Sequence, residues 1–131
     1  MLESESIMAQ ELSRLAARLE EARSGIAGLA QSRARVQAQM TALKQQEAKL
    51  GQQAAVALRF GREDLADVAR DRQQEAQSQR GELAVQLSRL LDEEAELTIA
   101  AQRLQARKAR IYWSALQAWD GGDPFDARGR P

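Results

Sequence analysis

Asp92, Glu93, Glu94 and Glu96 form the densest group of chemistry-bearing side chains in this chain. Paired carboxylates can hold a hard cation or trade a proton with a substrate. Either task needs groups converging from several elements, and these four follow one another along a single stretch. No glycine-rich phosphate loop or nucleophile elbow accompanies them. The run therefore reads as the solvated face of a helix. The chain has no histidine, which removes the commonest general base and metal ligand, and no cysteine, which removes thiolate sites and disulfides. The expectation is a non-enzymatic protein with no cofactor and no metal.

A second group could do surface chemistry. Arg103, Arg107, Lys108 and Arg110 precede Tyr112, Trp113, Leu116 and Trp119, which places three of the five aromatic residues beside a local positive charge. Cations followed by amphipathic aromatics suit a lipid headgroup region. The preferred reading is packing: Tyr112, Leu116 and Trp119 share a face next to the apolar seam, where they meet the segment around Ile7 or close a subunit contact. A nucleic-acid partner is not expected. Lys plus Arg and Asp plus Glu number 19 each, so formal net charge is zero, and no aromatics interleave a basic patch.

The elements that carry these groups follow from composition and period. Of the 131 residues 44% are hydrophobic but only 4% aromatic, with Ala, Leu and Gln prominent and 29% charged. That is coiled-coil composition, and it is poor material for a globular core. From Met8 to Ala57 apolar residues recur at spacings of three and four. One seam position takes Leu12, Leu19, Ile26, Arg33, Met40, Glu47 and Ala54; its partner takes Met8, Leu15, Ala22, Leu29, Val36, Leu43, Leu50 and Ala57. A 3.5-residue period held this long implies a helix buried along a narrow stripe. The second half continues through Leu83, Leu87, Leu90, Glu94, Leu97, Ala101, Leu104, Lys108, Ile111 and Ala115, after a more polar beginning at Ala69, Arg72 and Ala76.

Between the two tracts stands Gly61. It follows Leu58-Arg59-Phe60, where a glycine suits a left-handed helix cap, and precedes Glu63 and Asp64, whose carboxylates suit the positive end of a new helix. Proline is absent before Pro124, so nothing else forces a break. Gly25, Gly28, Gly51 and Gly81 fall inside the pattern, each costing about 1 kcal/mol relative to Ala, as tolerated surface positions or places of close approach. The predicted fold is all-α: a long antiparallel two-helix coiled-coil hairpin over residues 1–120, with arms at about 4–59 and 63–118 and a bend at about 60–63. An irregular tail is expected over residues 121–131.

Reflection about residue 61 or 62 places Arg33 within about a turn of Glu94, and Glu47 within about a turn of Arg72 or Arg80. Arg33, Glu47, Arg72 and Glu94 thus become candidate register charges, unless the first-arm pair simply snorkels to the rim. A hairpin that buries one seam per helix leaves alanine-rich flanks, so assembly with copies of itself or a partner is expected. The start of the chain lacks the basic and apolar regions of a signal peptide, and no run is long enough to span a bilayer, which points to a cytosolic, soluble protein.

The residues around the bend carry a family resemblance. Ala57-Leu58, then Gly61-Arg62-Glu63-Asp64-Leu65-Ala66 and Ala69, resembles the hairpin tip of the phage shock protein A family, bacterial relatives of the ESCRT-III membrane-remodelling proteins. Met8-Ala9-Gln10-Glu11-Leu12, about fifty residues upstream, is similar to the opening of that family's first hairpin helix. The resemblance spans roughly residues 7–111. It implies a non-enzymatic cytoplasmic protein that polymerises by stacking hairpins and acts at the inner face of the membrane during envelope stress, some members also restraining a transcriptional activator. On that reading Phe60, Gly61, Arg62, Glu63, Asp64 and Leu65 are the functional tip, and the homo-oligomer, a membrane surface or a regulatory protein are the partners. The chain departs from the family in beginning within the hairpin arm, without the short amphipathic helix that commonly inserts into membrane, and in closing with Trp119 to Pro131 where members continue into further helices. A coiled-coil adaptor or export-apparatus stalk similar to FliJ is the alternative; it would share the hairpin without this tip and act by protein contacts without lipid.

Overall fold

The computed structural model describes residues 2–118, and those residues form an all-α hairpin of two helices. Helix α1 spans Leu2–Arg59 and helix α2 spans Glu63–Ala118. Both are built largely from Ala, Leu, Gln, Glu and Arg, which lose little side-chain freedom in a helix. Their ends carry the expected charges: Glu3 and Glu5 in the first turn of α1, Arg59 in its last, and Glu63 and Asp64 in the first turn of α2. Among the described residues no helix is long and apolar enough to cross a membrane. The expected tail and Trp119 lie outside the described residues.

The chain divides into two compact units. The bend unit comprises Gly28–Glu94. Nearest the bend its seam is alanine: Ala54, Ala66 and Ala69 form a buried cluster with Ala57 packed against it, and Ala66 is fully buried. Small side chains at a contact let two helices approach closely. Farther along, Val36, Glu47, Leu50 and Ala76 are buried, and Met40, Leu43, Leu83, Leu87 and Leu90 are half-buried.

The terminal unit comprises Met1–Ala27 with Ala95–Pro131. Its seam is more aliphatic. Leu15, Leu19 and Ala22 are buried, with Leu12, Ile26, Leu97, Ala101, Leu104 and Ile111 half-buried. Gly25 belongs to this seam: a Cβ there would lie 2.7 Å from Leu97 Cδ2, so the missing side chain makes room for leucine. Gly28 and Gly81 face open space instead.

One seam assignment is corrected. Arg72 is exposed, and the seam runs through Ala66, Ala69, Gln73, Ala76 and Arg80. Those positions continue, in steps of three and four, the same phase that carries Leu83 onward. Gln73 earns its place by donating from Nε2 to the Glu47 backbone carbonyl at 3.2 Å.

Candidate functional site

The hairpin tip is made by a short backbone circuit. The Arg62 N–H donates to the Ala57 carbonyl at 2.8 Å and the Gly61 N–H to the Leu58 carbonyl at 3.0 Å. These two bonds are the Schellman closure of a helix C-terminus, which requires a left-handed residue at Gly61. Gly61 has φ +71° and is the residue with positive φ among those described. The Arg62 carbonyl then accepts from the Ala66 N–H at 3.1 Å, which opens α2. Arg62 therefore closes one helix with its N–H and starts the next with its carbonyl.

Arg62 also anchors the first turn of α2 through its side chain. Its Nε and Nη2 donate to the two carboxylate oxygens of Asp64 at 3.2 and 3.1 Å. This pairing, with a further bond from the Leu65 backbone N–H, holds the Asp64 carboxyl below its ordinary value. Glu63 stands exposed beside it.

The tip leaves large apolar side chains outside. Phe60 is 79% exposed, and Val56, Leu65 and Val68 are each about half exposed. With Leu50, Ala57 and Ala69 they line an open groove whose charged residues are Lys49, Arg62 and Arg72, without a carboxylate. Arg72, expected as a register charge, thus belongs to the rim of this groove. The alanine seam explains the arrangement. The positions facing the partner helix are occupied by small residues, so the bulky ones fall on the flanks.

Two ion pairs cross the seam of the bend unit. Arg33 Nε donates to Glu94 Oε2 at 2.9 Å, with a second bond from Nη2 at 3.3 Å. Arg80, not Arg72, meets Glu47, with bonds of 2.5 and 3.1 Å to its two carboxylate oxygens. Glu47 is itself buried and is the polar residue in that class among those described. Both guanidiniums are held above their ordinary value, first by these hydrogen bonds and then by the carboxylate charge. No buried side-chain nitrogen or oxygen among the described residues lacks a partner. The geometry suits register: each bidentate pair is satisfied at one alignment of the helices. Of the acidic run, Glu94 turns into the seam, while Asp92, Glu93 and Glu96 are exposed. Among the described residues no group of acidic side chains is arranged to hold a metal ion.

The terminal unit carries the second candidate group. Arg107 Nη2 donates to Glu11 Oε1 at 2.8 Å on the exposed surface. Arg107 and Arg110 border a shallow groove with Ile7, Met8 and Ile111. Of the two packings expected for Tyr112 and Leu116, around Ile7 or in a subunit contact, the one around Ile7 is corrected here. Ile7 is 64% exposed, and Tyr112, Trp113 and Leu116 are exposed as well. The seam phase accounts for this, since Leu104, Lys108, Ile111 and Ala115 take the inward positions and leave Tyr112 and Leu116 one residue outside them.

Comparison with known proteins found no matching family model, no matching curated protein and no matching solved structure.

Proposed function

We propose that this chain is a self-assembling coiled-coil protein of the phage shock protein A type, without enzymatic activity. It would act in envelope-stress response or membrane maintenance at the cytoplasmic face of the membrane, with a regulatory protein as a further partner. The observation that carries the reading is the tip. Gly61-Arg62-Glu63-Asp64-Leu65-Ala66 forms a turn in which one arginine serves both helices, while Val56, Phe60, Leu65 and Val68 remain uncovered beside it. Contiguous exposed apolar side chains on a soluble surface mark a place where another chain packs. Self-assembly is the simplest way to cover them.

Light scattering of the purified chain, with and without anionic vesicles, tests this. Large assemblies that change size on adding lipid are expected, and Phe60→Ser should shrink them. A monomer or dimer indifferent to lipid would instead favour the coiled-coil adaptor.

A further inference from the structure

We propose that the last turns of α2, from Arg103 to Ala118, form a docking surface for an anionic lipid bilayer. The inference deepens the membrane role proposed above and rests on that reading, but it assigns the contact to a part of the hairpin remote in sequence from the tip.

Three observations meet there. From Leu97 to Ala118 the chain has Arg103, Arg107, Lys108 and Arg110 and no carboxylate, so this stretch of α2 carries charge of one sign. Arg103, Arg107 and Arg110 are spaced four and three residues apart, which sets them along one flank of the helix beside the seam. Tyr112, Trp113 and Leu116 lie off the seam and are exposed, Trp113 by 62%.

The carboxylates of the same unit bear on this surface. Glu3, Glu5, Glu11, Glu20 and Glu21 are on α1 and Glu96 is on α2 just before this stretch, and Glu11 engages Arg107. Among the described residues Arg103 and Arg110 enter no ion pair, so the cationic flank is engaged by a carboxylate at Arg107. A bilayer fits this surface because its chemistry is layered. Phosphate headgroups take the guanidiniums of Arg103 and Arg110, and the indole of Trp113 with Leu116 enters the boundary between headgroups and acyl chains, while Tyr112 lies on the opposite flank of the helix from the arginines. Charge complementarity chooses the anionic surface over a zwitterionic one.

The test uses the full chain and vesicles of phosphatidylglycerol mixed with phosphatidylcholine, against vesicles of phosphatidylcholine alone. Co-sedimentation is expected with the anionic vesicles and not with the neutral ones, and it should weaken as salt rises. Arg103→Gln with Arg110→Gln should weaken binding by about thirtyfold, at roughly one tenfold step or somewhat less for each cation near the surface. In a Trp119→Phe background, the emission of Trp113 should shift to the blue on adding anionic vesicles. Trp113→Ser should weaken binding while leaving the helical circular dichroism unchanged. Unaltered binding in both variants, or Trp113 emission that stays at its position in water, would overturn the proposal and leave this face to a protein partner. If the chain still assembled under light scattering in that case, the proposed function would stand and only this contact would fall. A chain that neither assembled nor bound vesicles would overturn both.

Discussion

The bend unit and the terminal unit solve the same packing problem with different materials. Near the bend the seam is alanine, its alignment is held by charges placed inside it, and the large apolar residues are turned outward. In the terminal unit the seam is leucine and isoleucine, and the ion pair between Arg107 and Glu11 lies on the surface. The difference teaches where specificity must be supplied. An alanine stripe has little shape, so sliding by one heptad costs it little, and a buried bidentate pair provides the missing discrimination. A leucine seam carries its register in its own contours and gains little from an exposed pair.

The largest break in this contrast should come from changing side-chain volume in each seam. Leu19 is 4% exposed, and Leu19→Ala should cost about 3 kcal/mol of stability by removing buried methyl groups and leaving a cavity. Ala66 needs the opposite change: Ala66→Leu should cost about 2 kcal/mol by overpacking, because its position is fully buried. Urea denaturation followed by circular dichroism measures both. Indifference of Ala66→Leu would mean that the helices near the bend part easily, and the alanine argument would fail.

The ion pairs give the next test. Arg80→Ala leaves the Glu47 carboxylate buried without its counter-ion and should lower the melting temperature by several degrees, whereas Arg107→Ala should leave it nearly unchanged. Replacing both members by leucine, Glu47→Leu with Arg80→Leu, should recover the stability while admitting shifted alignments, which disulfide trapping between engineered cysteines would detect. Equal effects of the two single variants would erase the distinction between a seam charge and a surface charge.

The smallest effect concerns the turn. A Cβ at Gly61 would meet nothing within 4 Å, so any penalty for a side chain there comes from the backbone alone. Gly61→Val should cost roughly 1–2 kcal/mol, the cost of a left-handed conformation in a residue that disfavours it. An unchanged melting temperature would show that the bend tolerates another closure.

Much of this was legible because it is local or periodic. The 3.5-residue repeat marked the seam of α1 from Met8 to Ala57, and a glycine before two carboxylates marked the bend, since a left-handed cap and a favourable helix start are properties of adjacent residues. Reflection about the bend even brought Arg33 to Glu94. The beginning of α2 was harder. Gln73 and Arg80 are polar, so apolar spacing does not mark them, and reflection about the bend left both Arg72 and Arg80 within reach of Glu47, although the phase of the downstream leucines runs through Gln73 and Arg80.

The sequence by itself thus determined two helices, the place where they turn and the stripe on which they meet, because each depends on spacing along one strand of chain. Which partner Glu47 takes was decided only in three dimensions, where the pitch of two helices brings Arg80 rather than Arg72 to the seam. The packed pair also decided that Phe60 stays uncovered, because the two helices close on alanine beside it, whereas Trp113 is left outside by the phase of the seam.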